Sequence, residues 1–123
     1  MYRSIVLFLV LSTSVAAHEM VPTYPKWQAS SMEKIIKTSM EMFNKRADVE
    51  WYEIGVFTKD FKSIPFVSQY KIIKIPYLTK VKFDVYIDSK NKKRAVYICS
   101  MSKLVSDKKN QALVASKICS KFK

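Results

Sequence analysis

From Lys80 to Asp88 apolar and polar residues alternate. Val81, Phe83, Val85 and Ile87 share one parity, and Lys80, Lys82, Asp84, Tyr86 and Asp88 share the other. Successive side chains of a strand point to opposite faces, so this pattern predicts a strand with one buried and one wet face. A slip of one residue would carry four large apolar groups into water, which holds the register tightly. This is the clearest periodic signal in the chain, and the other elements are read against it.

A second pattern runs through Met32, Ile35, Ile36, Met40, Phe43 and Ala47, at helical spacing. Ser30-Ser31-Met32-Glu33 in front of it matches a capping box, in which a serine oxygen and a glutamate satisfy free backbone N–H groups. Glu33 with Lys37 and Glu41 with Lys45 stand four residues apart, a favourable pairing on a helix. These features predict a helix from Ser30 to about Ala47, its apolar stripe laid on the Lys80–Asp88 face.

Around these two elements the chain reads as strands and turns. His18 to Ala29 holds Pro22, Pro25, Tyr24 and Trp27, and predicts an extended arm whose aromatics either cover core edges or dock on a partner. Trp51–Thr58 reads as a strand, with Gly55, the only glycine, suited to a positive-φ turn. Val67–Ile75 is β-branched and aromatic and reads as another strand. Pro76-Tyr77-Leu78-Thr79 breaks it before Lys80, as a hairpin turn or an edge distortion. Arg94–Leu104 alternates with Tyr97, Cys99 and Met101 on one parity. Val105–Asn110 is a polar turn, and Gln111–Cys119 a last strand. Short turns make neighbouring strands antiparallel. The expected fold is therefore α+β: a four- to five-stranded antiparallel meander with one N-terminal α-helix across a face.

The first residues add a compartment. Met-Tyr-Arg-Ser is followed by an apolar run from Ile5 to Leu11 and by Val15-Ala16-Ala17. A short basic start, an apolar core and small residues match a signal peptide cleaved after Ala17, with a buried first element as the alternative. The run is shorter than the about 20 residues that span a bilayer. The expected organisation is a signal peptide at 1–17 and one domain at 18–123. In an oxidising compartment Cys99 and Cys119, the only cysteines, read as one disulfide, with two free thiols as the alternative.

The formal net charge is +12, carried mostly by lysines scattered along the chain. Such charge either keeps a surface solvated or attracts an anionic glycan or membrane surface. Lysine gives no bidentate base readout, so sequence-specific nucleic-acid recognition is not expected. Catalysis has no support in the sequence. His18 is the single histidine and sits at the predicted mature start, so no Ser–His or Cys–His pair on a rigid element is expected. No zinc-ligand spacing occurs, and neither metal nor cofactor is expected.

Taken together, these features resemble the secreted cystatins. Met42-Phe43-Asn44-Lys45-Arg46-Ala47 is similar to the close of the cystatin helix. Val81–Asp88, Lys93–Ser100 and Ala115–Cys119 resemble its later strands, and the Cys99/Cys119 spacing resembles its C-terminal disulfide. The resemblance implies a sheet wrapped round the helix and inhibition of papain-like cysteine proteases by a three-part wedge. Its parts fall here on the arm (Val21, Pro22, Tyr24, Trp27), the first hairpin (Pro76, Tyr77, Leu78, Thr79) and the second (Ser106, Lys108, Lys109). The family's Gln-x-Val-x-Gly and Pro-Trp motifs and its arm glycine are missing, and Lys108 and Lys109 would have to be desolvated to enter a cleft. Inhibition is therefore expected to be weak or lost. The alternative is a cationic secreted binding protein on the same fold, monomeric or weakly self-associating through sheet edges.

Overall fold

A computed structural model describes residues 17–103 and 115–123. Its regular elements are ten strands and one turn of 3₁₀ helix at Ser89–Asn91. The strands are β1 (Glu19–Val21), β2 (Gln28–Ala29), β3 (Ile35–Phe43), β4 (Trp51–Phe57), β5 (Ser63–Ile64), β6 (Val67–Ser68), β7 (Ile72–Lys74), β8 (Lys80–Asp88), β9 (Tyr97–Ser102) and β10 (Lys117–Lys121). They form two five-stranded antiparallel sheets. One runs β1-β3-β8-β6 with β2 also on β3; the other runs β10-β9-β4-β5 with β7 also on β4.

The Lys80–Asp88 strand is present as expected, with Phe83, Val85 and Ile87 buried. What covers its apolar face is a second sheet and not a helix, so the α+β, helix-wrapped expectation is overturned. The Ile35–Phe43 stretch is itself a strand, paired with β8 in an unbroken antiparallel register from Ile35↔Asp88 to Phe43↔Lys80. Its residues satisfy a period of two as well as the helical one: Thr38, Met40 and Met42 are buried on one parity. Ile35, Ile36 and Thr38 are β-branched, which favours a strand. The serine motif builds a turn instead of a cap. Ser30 Oγ accepts from Met32 N at 3.1 Å and donates to the Ile35 carbonyl at 2.7 Å. Lys34 then takes φ 64°, a left-handed conformation that stops helical propagation. Met32 and Ala47, expected on the buried stripe, are exposed.

Three smaller expectations are corrected. Gly55 does not make a positive-φ turn; no glycine has positive φ, and Gly55 lies inside β4. A Cβ there would sit 2.6 Å from Cζ of Phe57, whose ring folds back over the outer face of the sheet. The Val67–Ile75 stretch is two short strands in different sheets, β6 on β8 and β7 on β4. The chain therefore crosses the sandwich there, and Pro76–Thr79 carries it back, so that segment is not a hairpin turn within one sheet. The expected strand Gln111–Cys119 is β10 at Lys117–Lys121; residues 111–114, like the expected turn Val105–Asn110, fall outside the described residues.

The core lies between the sheets. Met40, Met42, Phe83, Val85 and Ile87 from one sheet meet Tyr52, Ile54, Val56, Ile73 and Ile98 from the other in a single cluster. Face-to-face sheet packing places alternate residues of each strand inward. Cys99 and Cys119 face each other across β9 and β10 and form the expected disulfide. No helix among the described residues is long and apolar enough to cross a membrane.

Candidate functional site

Two polar arrangements stand out. The first is buried. Asn44, just after β3, is wholly enclosed and uses both ends of its amide. Its Nδ2 donates to the Val49 and Ile75 carbonyls at 2.7 and 2.8 Å. Its Oδ1 accepts from the Tyr52 hydroxyl at 2.6 Å and from Arg46 N at 2.9 Å. The Tyr52 ring lies tilted against His18, with centroids 4.5 Å apart. His18 spans two serines: Nε2 is 2.7 Å from Ser100 Oγ and Nδ1 is 3.1 Å from Ser116 Oγ. Arg46 reaches Ser116 Oγ at 3.4 Å and clasps Asp48 through Nε and NH2 at 2.9 and 2.6 Å. The network ties β1, the end of β3, β4, β9 and the start of β10 together.

Burial sets the protonation states here. Desolvation lowers the His18 pKa to about 4; hydrogen bonding at Ser100 opposes the shift and the Arg46 charge adds to it. Burial raises the Tyr52 phenol to about 12. The hydrogen bond from Arg46 holds the Asp48 carboxyl below its usual range. A Ser–His pair does therefore sit on a rigid strand, contrary to expectation. Yet His18 is 1% exposed and Ser100 0%, so no substrate reaches the pair. Its chemistry is that of a satisfied polar core, where unmade hydrogen bonds are costly.

The second arrangement opens to solvent at the other end of the sandwich. Trp27, just before β2, stacks on Phe122 with centroids 4.3 Å apart and planes 17° from parallel. Phe122 N donates to the Val96 carbonyl at 2.9 Å, and Lys123 N to the Pro25 carbonyl at 3.4 Å. These bonds draw three distant stretches together around a cleft of about 560 Å³. Lys26, Lys92, Lys93 and Lys123 line it, and no acidic residue does. The scatter of lysines along the sequence thus becomes a cluster in space, a feature that linear reading could not supply. A separate apolar groove of about 620 Å³ runs past Met32, Ile35, Phe66, Val67 and Tyr86, beside the short edge strand β6. Met32 is 54% and Val67 69% exposed there.

The expected wedge residues are spread over the molecule. Leu78 N donates to the Asn44 carbonyl at 2.8 Å and Asn44 N to the Thr79 carbonyl at 3.1 Å, so Pro76–Thr79 lies at the Phe43 end of β3. Val21 pairs with Glu41 near that end. The arm then runs along β3, and Trp27 lies next to Gln28, which pairs with Lys37, roughly 13 Å beyond Glu41 at strand spacing. Val21, Pro22, Tyr24, Tyr77 and Leu78 are exposed, while Trp27 is part of the lysine cleft. Ser106, Lys108 and Lys109 fall outside the described residues. Among the described residues no group of three or more His, Cys, Asp or Glu is placed to hold a metal ion.

Two facing antiparallel sheets with a joint core define a β-sandwich. No protein-family model and no curated protein matches the chain. A crystal structure of the E. coli chaperone DraB is similar in fold, with a TM-score of 0.64 at 14% sequence identity. The match covers 86% of this chain and 53% of that one, so the chain spans about half of that chaperone's length.

Proposed function

We propose that this protein is a secreted, cationic β-sandwich binding module that attaches to anionic surfaces. The observation that carries this reading is the convergence of Lys26, Lys92, Lys93 and Lys123 on one cleft that no Asp or Glu side chain lines. Several acids elsewhere are matched: Glu19 pairs with Lys45, Asp48 with Arg46, Glu50 with Lys74 and Glu53 with Lys103. Like charges held together raise the local potential and attract an opposite charge. The signal-peptide pattern and the Cys99–Cys119 disulfide support the extracytoplasmic setting. Retention on a heparin column is the test. Strong retention at low salt that falls steeply as salt rises is expected. Elution in the void at low salt would refute the reading.

A second reading, a polypeptide-binding chaperone module, draws on the name of the DraB neighbour and on the apolar groove at Met32 and Val67. Suppression of aggregation of an unfolded client, lost in Val67→Glu, would favour it. For papain-like proteases, titration is expected to show no tight inhibition, because Trp27 and Pro76–Thr79 lie far apart along β3.

A further inference from the structure

We infer that the lysine cleft is a site for a sulfated sugar: its apolar part takes the pyranose face and its lysines take the sulfates. The inference rests on the anionic-surface reading and narrows it to one place and one ligand class. Three features of the cleft select the ligand. Trp27, Phe122, Ala95 and Val96 give the cleft an apolar part, so a ligand carrying only charge would leave it unused. A pyranose ring offers a C–H face that packs on such a surface and a polar edge that does not.

The rim is lysine throughout. Ammonium groups on flexible stems act as point charges and adapt to sulfates of varied position, whereas flat bidentate recognition uses arginine. Finally, the surface is recessed. Lysines around a cleft can close on a chain that enters. A sulfate monoester also sheds water more readily than a carboxylate, which suits a rim beside apolar side chains.

The test uses Trp27 as its reporter. The protein has two tryptophans, and Trp51 lies on β4, where Lys74 Nζ sits 5.8 Å from its ring, away from the cleft. In a Trp51→Phe background, fluorescence is titrated with a heparin-derived tetrasaccharide, with its fully desulfated analogue and with inorganic phosphate. Melting curves confirm that each variant is folded. The expected result is a saturable change with the tetrasaccharide alone, weakened about tenfold or more in Lys92→Ala/Lys93→Ala. A control pair, Lys80→Ala/Lys82→Ala, should leave it within about twofold. Equal weakening by both pairs would overturn the site while leaving the anionic-surface reading intact. Equal response to the desulfated sugar or to phosphate would overturn the ligand class. No response to any probe, together with no heparin retention, would end both readings.

Discussion

Lowering the pH from about 7 to about 4.5 singles out one buried group, His18. In the folded protein its pKa is lowered to about 4, against an ordinary value of 6.5. Above 6.5 the imidazole is neutral in both states and the burial costs nothing in protons. As the pH falls from 6.5 towards 4 the unfolded chain takes up a proton that the folded chain refuses, so stability drains away across that window. Below about 4 both states are protonated and the loss from this group is complete. The shift corresponds to about 3 kcal/mol at most, and to about 2 kcal/mol once screening by nearby solvent is allowed for. Asp48, held low by Arg46, loses its contribution only at more acid pH and does not confuse the measurement. The assay is urea unfolding at the two pH values for wild type and His18→Gln, which keeps a hydrogen-bonding side chain beside Ser100. Wild type should lose about 2 kcal/mol more than the variant between the two. The same loss in both proteins would refute the reasoning.

Further outcomes follow from single contacts. Gly55→Ala should cost about 1–3 kcal/mol, because the new methyl displaces the Phe57 ring that lies 2.6 Å from its position; a thermal melt reads this, and an unchanged midpoint would contradict it. Tyr52→Phe removes one of the two donors to Asn44 Oδ1, the hydroxyl at 2.6 Å, leaves Arg46 N in place, and should cost about 0.5–1.5 kcal/mol, seen as a lower urea midpoint with unchanged slope. Reduction of Cys99–Cys119, 20 residues apart in sequence, should cost about 2–4 kcal/mol, seen by unfolding with and without reductant. Far-UV circular dichroism should show a strand spectrum with no helical double minimum; a helical component matching Ser30–Ala47 would contradict the assignment of β3.

Much of the sheet was readable in the chain, for a physical reason. Lys80–Asp88 alternates without exception, and a half-buried strand is the structure that separates those two faces. Trp51–Thr58 likewise reads as a strand, and β4 occupies Trp51–Phe57 of it. Ile35–Phe43 reads as a helix because Ile36 and Met40 fit both periods, and a serine and a glutamate in front imitate a helix cap. What decides between them is pairing with a distant strand, Ile35 with Asp88 through to Phe43 with Lys80, which local spacing does not contain. The candidate sites were less legible still. His18 looked like a terminal residue, yet β1 carries it into the core against Ser100. Lys26, the Lys92–Lys93 pair and Lys123 are far apart in sequence, and only the stacking of Trp27 on Phe122 and the bonds around it gather them. The arm was expected to dock or to cover a core edge; Trp27 covers one and in doing so lines the cleft.

The most direct test of the account is a map of amide chemical shifts of the ¹⁵N-labelled protein titrated with the sulfated tetrasaccharide. The account predicts that the largest changes cluster at Lys26, Trp27, Lys92, Lys93, Val96 and Phe122, with the Trp27 indole N–H moving among them. Changes spread evenly over the lysines, or centred on Lys80 and Lys82 with Trp27 still, would contradict it.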